Sequence, residues 1–209
     1  MRILIADDHE VVRRGLKETL NEAFSRVIFG EANTAQEALT SVARQDWDVV
    51  ILDISMPGKS GLDILDDLHR MRPRLPILLL SMHPERQYAR RALKSGAAGY
   101  LTKESVCDEL KEAVRRVQAG GRYVSAKLAE ELAFDLGHRR DAPAHELLSD
   151  REFQVLRMIA SGMTVTQIAD EIALSVKTVS TYRSRILEKT GMKTTGELIR
   201  YALQAGLVD

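Results

Sequence analysis

Short apolar runs alternate with amphipathic stretches over the first half of the chain. The runs at 3–6, 27–32, 49–52, 77–81 and 99–102 are rich in aliphatic residues, the pattern of strands covered on both faces. Between them apolar residues recur at helical spacing. The stretch after Ser105 is the clearest, with Leu110, Ala113, Val114 and Val117 at i, i+3, i+4 and i+7. This alternation predicts a doubly wound α/β layer, a five-stranded parallel sheet with helices on both faces.

The pattern changes in the second half. A helical stretch at 126–136 follows Gly120-Gly121, and the polar run 137–145, with Gly137 and Pro143, reads as a linker. From Ser149 onward the periodicity is purely helical. Ser149 with Glu152, Thr164 with Gln167 and Thr194 with Glu197 fit capping boxes. Gly162 and Gly191 are placed to end helices in the left-handed conformation. The expected organisation is an α/β domain at 1–120, a linker with a helix at 121–146, and an all-α four-helix domain at 147–209.

Acidic residues stand where the strands end. Asp7 and Asp8 close the first run and Asp53 closes the third. In neighbouring parallel strands these carboxylates collect at one sheet edge, the place where such sheets bind ligands. Like charges in one site repel, and a hard divalent cation with oxygen ligands relieves that repulsion. The pocket therefore reads as a Mg²⁺ site with a carboxylate free to react. Ser81, ending the fourth run, and Lys103, just after the fifth, supply a hydroxyl and a positive charge to the same edge, and Tyr100 lies close by. Singly, each has an ordinary reading as a cap, a solvated charge or packing; jointly they suit phosphoryl chemistry on an aspartyl nucleophile.

Composition narrows the partners. The chain has 209 residues, enough for two small domains, and aromatics are only 5%, so the cores are aliphatic. Net charge is zero, so any affinity for DNA must be local. Residues 175–200 hold six Lys/Arg (Lys177, Arg183, Arg185, Lys189, Lys193, Arg200) against Glu188 and Glu197, a local balance of +4. The single cysteine, Cys107, excludes an intrachain disulfide and suits a reducing compartment. No apolar stretch is long enough to span a bilayer, and acids interrupt the N-terminus too early for a signal peptide. A cytoplasmic protein without membrane partners is expected.

The basic stretch has its own architecture. A helix with Val155, Leu156 and Ile159 inward precedes two short helices joined by a tight turn, a helix-turn-helix. In the second of these, Val179, Tyr182 and Ile186 share the inner face. Lys177, Ser180, Thr181, Ser184 and Arg185 point largely elsewhere, toward a DNA groove. Cations of this kind mainly contact phosphates, whereas hydroxyls reach bases or phosphates.

Asp7-Asp8, Leu52-Asp53-Ile-Ser-Met-Pro-Gly58, Leu80-Ser81 and Gly99-Tyr-Leu-Thr-Lys103 resemble the receiver domains of two-component response regulators, which have a CheY-like, flavodoxin-like fold. Residues 148–208 resemble the LuxR-type output domain of the NarL/FixJ regulators, on Thr178-Val-Ser-Thr-Tyr182 and Glu197-Leu-Ile199. The resemblance implies that Asp53 takes a phosphoryl group from a cognate histidine kinase. It implies that Asp8, Asp53 and the Ser55 carbonyl ligate Mg²⁺, with Asp7 acting through water. Ser81 and Tyr100 would be the switch pair and Lys103 a phosphoryl contact, while Ser55 and His83 would tune phosphoryl lifetime. Lys103 is followed by Glu104 rather than the proline common in receivers, so its loop is expected to be trans or strained. In the output domain Ser180, Thr181 and Ser184 fall at base-reading positions, with Lys177, Thr178 and Arg185 completing the DNA contacts. Double-stranded promoter DNA, a homodimer formed on activation, and RNA polymerase are the implied partners; relatives of this kind bind DNA as dimers with the last helix as a dimer surface. The chain would be a phosphoacceptor with weak self-dephosphorylation rather than an enzyme.

Three rivals share some of these features. An acid-site phosphohydrolase fused to a DNA module would also use an aspartyl nucleophile, but usually carries a second acid two residues later, where Ser55 stands. A ligand-sensing regulator would need an aromatic-lined N-terminal half. A receiver working without phosphate would not need the complete set of polar residues.

Overall fold

The computed structural model describes residues 1–56, 61–82, 85–130 and 143–208, apart from the side chains of 85–87, 107 and 150. The chain divides into two compact units, Met1–Gly137 and His138–Asp209. Pro57-Gly58, His83, the side chains of Arg86 and Cys107, and residues 137–142 of the expected linker lie outside the described residues. No described helix is long and apolar enough to cross a membrane.

The first unit runs β1 (Arg2–Ala6), α1 (Glu10–Ala23), β2 (Ile28–Ala32), α2 (Ala35–Arg44), β3 (Val49–Asp53), α3 (Gly61–Met71), β4 (Ile77–Ser81), α4 (Glu85–Lys94), β5 (Gly99–Thr102) and α5 (Val106–Gln118). All strands are parallel, in the order β2-β1-β3-β4-β5. The strand boundaries differ from the hydropathy pattern by one residue at three ends. Val27 falls outside β2 because the ladder starts where Ile28 N–H bonds the Met1 carbonyl.

Successive strand side chains point to opposite faces, and both faces are covered. Ile3, Ile5, Val49, Ile51, Leu78, Leu80 and Leu101 pack with Leu16 and Leu20 of α1 and with the expected stripe of α5, Leu110, Ala113, Val114 and Val117. The alternate residues Leu4, Val50, Leu52 and Leu79 are equally buried. Each such side chain contributes about 1.5–3 kcal/mol on burial, so the sheet is a rigid platform for whatever its edge carries.

That platform positions the acids. The chain leaves β1 toward β2 on one side and returns to β3 on the other, which makes the β1/β3 boundary the topological switch point. Ala6 pairs with Leu52, so Asp7 and Asp53 are the next neighbours. Asp53 pairs with Leu80 and Ser81 with Thr102, which brings Lys103 to the same edge. Gly61 starts α3 against the end of β3, where a Cβ would stand 2.3 Å from the Asp53 carbonyl oxygen.

In the second unit a 3₁₀ turn (Ala144–Leu147) precedes α6 (Asp150–Ala160), α7 (Val165–Glu171), α8 (Val176–Thr190) and α9 (Thr195–Gln204). Phe153, Val155, Leu156, Ile159, Ile168, Val179, Ile186, Leu198 and Ala202 form its buried interior. The capping boxes at Ser149/Glu152 and Thr164/Gln167 are complete. The one at Thr194 is only half made. Thr194 Oγ1 accepts the Glu197 N–H, but the Glu197 carboxylate takes the Lys193 N–H instead, one residue further out.

Gly191 ends α8 at φ 71°, as its position predicts. The tight turn between α7 and α8 uses Ala173 at φ 52°, with no glycine to announce it. The final residues of the expected linker are held on this unit: His145 N–H donates to Tyr201 Oη at 3.2 Å, and Nδ1 lies 2.7 Å from it. Residues 126–130 are helical, and the rest of that expected helix lies outside the described residues.

Candidate functional site

The strand ends of the first unit bring Asp7, Asp8, Asp53, Ser81 and Lys103 together. Asp7, Asp53 and Ser81 are fully buried, whereas Asp8 faces solvent. Lys103 Nζ reaches across the edge to Asp53 Oδ2 at 3.0 Å and Asp7 Oδ2 at 2.8 Å. The Lys103 N–H bonds the Ser81 carbonyl at 2.7 Å, so the sheet itself carries the lysine to the acids. No cis peptide occurs among the described residues, and the loop before Glu104 delivers the ammonium without one. Tyr100, on β5, is fully buried.

The electrostatics are unbalanced. Burial first, and then the Asp7 charge, push the Asp53 carboxyl above the usual carboxylate range; Lys103 and the Ser55 N–H, 3.2 Å from Oδ1, offset this only in part. Burial pulls the Lys103 ammonium down, but its hydrogen bond with Asp7 and the Asp53 charge outweigh this and hold it above its ordinary value. One cation thus serves two buried carboxylates. Among the described residues the Lys103 ammonium is the partner of Asp7 Oδ2.

Ligand atoms of Asp7, Asp8, His9 and Asp53 all lie within 4.8 Å of one another. A crowd of hard oxygen donors, two of whose carboxylates are buried and share the Lys103 ammonium, fits a divalent cation such as Mg²⁺. Ser55 lies beside this cluster, two residues after Asp53.

Three neighbours carried no signal in the hydropathy pattern. His9 Nδ1 lies 2.8 Å from Asp8 Oδ1 and 3.2 Å from Asp7 Oδ1; only its adjacency to the Asp pair could have flagged it. Arg13 Nη1 donates to the Asp7 carbonyl at 2.7 Å, and its Nε donates to Glu31 at 2.8 Å. The clue to Arg13 is its position on the inner stripe of α1 with Leu16 and Leu20.

The second unit presents α8. Val179 and Ile186 are buried and Tyr182 is half-buried, so the inner face is narrower than the spacing predicts. Lys177, Thr181, Ser184 and Arg185 are exposed, and Thr178 and Ser180 are half-buried. Thr181 and Ser184 donate their hydroxyl protons to the carbonyls of Lys177 and Ser180 at 3.0 and 3.1 Å, which leaves their oxygens outward as acceptors.

Lys177 and Arg185 form no ion pair among the described residues. Lys189 differs: its ammonium lies 2.6 Å from buried Glu152, so it ties α8 to α6 rather than adding to the free positive face. Val176, exposed at the start of α8, is an apolar surface residue that the charge pattern passes over.

Comparison with known proteins agrees with both halves. Residues 3–115 match the response regulator receiver domain and residues 146–202 the bacterial regulatory proteins of the luxR family. Over 211 residues the chain is 36% identical to the response regulator GacA of Pseudomonas aeruginosa, covering all of this chain and 98% of the relative. It is 33% identical over 210 residues to UvrY of Escherichia coli K12, covering all of this chain and 96% of that protein. RcsB of Salmonella enterica serovar Typhimurium, solved bound to promoter DNA with the phosphomimetic BeF₃⁻, superposes with a TM-score of 0.66 at 27% identity, over 96% of this chain and 97% of that one. A CheY-like sheet whose acids and lysine meet at one edge, joined to a LuxR-type helical unit, places this chain among the two-component response regulators of the NarL/FixJ family, which are DNA-binding transcriptional regulators.

Proposed function

We propose that Asp53 is the phosphoacceptor of this regulator and that its phosphorylation controls DNA binding by α8. The observation that carries the reading is the buried Asp53 carboxylate, held by Lys103 at 3.0 Å and crowded by Asp7. An Asp53 oxygen attacks the phosphorus of a phosphohistidine on the cognate kinase. The P–N bond breaks, and its electron pair leaves with the imidazole nitrogen. The product is an acyl phosphate whose added charge Lys103 and the Ser81 hydroxyl meet. Asp8, Asp53 and the Ser55 carbonyl would hold a Mg²⁺, with Asp7 through water; when bound it supplies neutralising charge to the phosphoryl oxygens.

Ser81 and Tyr100 form the switch pair. A phosphoryl group biases the receiver only through contacts that differ between its two states, and Ser81, at the pocket edge, is the group able to make one. Lys177 and Arg185 contact DNA phosphates, with Thr178 beside them. Ser180, Thr181 and Ser184 read bases or phosphates, and Val176 is placed for a thymine methyl. Dimers form on activation, with RNA polymerase as a further partner. The receiver comprises residues 1–120 and the output domain 147–209.

Asp53→Asn tests the reading. Incubated with a small phosphoryl donor and Mg²⁺, the wild type incorporates one phosphoryl group and gains DNA affinity, whereas the variant does neither. Labelling retained at another residue refutes the assignment. Multiple turnover of a phosphate ester would favour a phosphohydrolase instead.

A further inference from the structure

Helix α1 buries a charge. Arg13 shares its inner stripe with Leu16 and Leu20, and its side chain is only 10% exposed. Arginine keeps its charge at any accessible pH, so a buried one must find partners. Arg13 finds two of different kinds: Nη1 donates to the Asp7 carbonyl at 2.7 Å and Nε to Glu31 Oε2 at 2.8 Å. Glu31 lies opposite Ile5 on the edge strand β2, and its other oxygen takes the Lys17 ammonium. Lys17 first, and then Arg13, hold the Glu31 carboxyl below the usual range, so it is ionised at neutral pH. A permanent cation therefore sits one hydrogen bond from the residue whose carboxylate lines the acidic pocket. Among the described residues Glu31 is its acidic partner.

We infer that Glu31 is a positioning residue for the divalent-cation site: it holds the Arg13 guanidinium against the Asp7 main chain and keeps it from competing with a cation for the carboxylates of Asp7, Asp8 and Asp53. The inference rests on the proposed reading of that cluster as a cation site. Without Glu31 an uncompensated guanidinium stands beside the cluster. Its charge repels an incoming divalent ion, and its freed donors can take a carboxylate. Lys17 does not share this role, because it reaches Glu31 from the more exposed side.

The test is a Mg²⁺ titration of the full chain at ~0.15 M salt, read by calorimetry, with a urea melt of each variant to show that it is folded. Glu31→Gln is expected to weaken Mg²⁺ binding about tenfold. Adding Arg13→Gln to Glu31→Gln is expected to restore the affinity to within about threefold of wild type. Adding Lys17→Gln instead restores the same net charge but leaves Arg13 uncompensated, so binding is expected to stay weak. Unchanged affinity in Glu31→Gln, or equal rescue by both double variants, overturns the inference. Asp53→Asn is the control for the site. If wild type binds no Mg²⁺, or Asp53→Asn binds it equally well, the cation-site reading itself fails. If that control holds and Glu31→Gln is silent, only this inference fails.

Discussion

Lys103→Met removes an ammonium held between two buried carboxylates. The ammonium lies 2.8 Å from Asp7 and 3.0 Å from Asp53, and its side chain is 8% exposed. At an effective dielectric of ~20 each contact is worth about 6 kcal/mol of attraction. Desolvation of the ammonium and carboxylates cancels much of this, and deleting one partner of a buried pair typically costs about 3–5 kcal/mol. Against the ~5–15 kcal/mol that holds a domain folded, this is a large fraction.

Trp47, the chain's single tryptophan, is buried in the first unit, so its fluorescence reports that unit alone. With a urea slope of ~1.5 kcal/mol/M, the midpoint in EDTA at pH 8 should fall by about 2–3 M. Asp53 already titrates high because of burial and the Asp7 charge, and losing Lys103 raises it further. A carboxyl with a raised folded pKa costs stability in full above that pKa, so the deficit should shrink as the pH falls through it toward the unfolded-state value. Saturating Mg²⁺ should return more stability to the variant than to wild type, because the cation no longer displaces an ammonium. A midpoint shift below ~0.5 M at pH 8, or an equal gain from Mg²⁺ in both proteins, would show that Lys103 does not compensate these acids.

Three further outcomes are expected. Glu152 is buried, which raises its carboxyl pKa, but Lys189 and the Ser149 N–H more than reverse this and leave it below the usual range. Its ionised form therefore stabilises the second unit above the unfolded-state pKa, and this contribution is lost as the pH falls through the folded value. Far-UV circular dichroism melts should show Glu152→Gln less stable than wild type at pH 7, with the gap closing in acid; a gap that persists at pH 2 contradicts the assignment. Lys177→Ala should weaken binding similarly across DNA sequences and flatten the salt dependence by about one unit of slope; an unchanged slope removes Lys177 from the phosphate contacts. Gly61→Ala places a methyl 2.3 Å from the Asp53 carbonyl. Overpacking costs about 1–3 kcal/mol and exceeds the up to ~1 kcal/mol helix preference of alanine, so the urea midpoint of the first unit should fall; a rise would mean that α3 shifts freely.

Much of the fold is legible in the chain because its signals are local. Five aliphatic runs became five strands, and the stripe at 110, 113, 114 and 117 became the buried face of α5. The gathering of Asp7, Asp53, Ser81 and Lys103 followed from strand ends alone, since a parallel sheet carries every carboxyl end to one edge. The last capping box failed by a single residue, because a glutamate side chain can choose between two adjacent N–H groups and neither choice leaves a mark in the pattern.

Contacts between distant elements were decided only by tertiary packing. The Arg13–Glu31 pair depends on the register that sets Glu31 against Ile5 and on the rotation of α1 that turns Arg13 inward. Lys189, one of six cations in a basic stretch by sequence, is withdrawn from the surface charge by Glu152, 37 residues earlier. The alternation of apolar and polar residues determines which face of an element is buried. Which charge meets which depends on how faces from remote parts of the chain are brought within a few ångströms, and ion pairing at that range has no periodicity for a sequence to display.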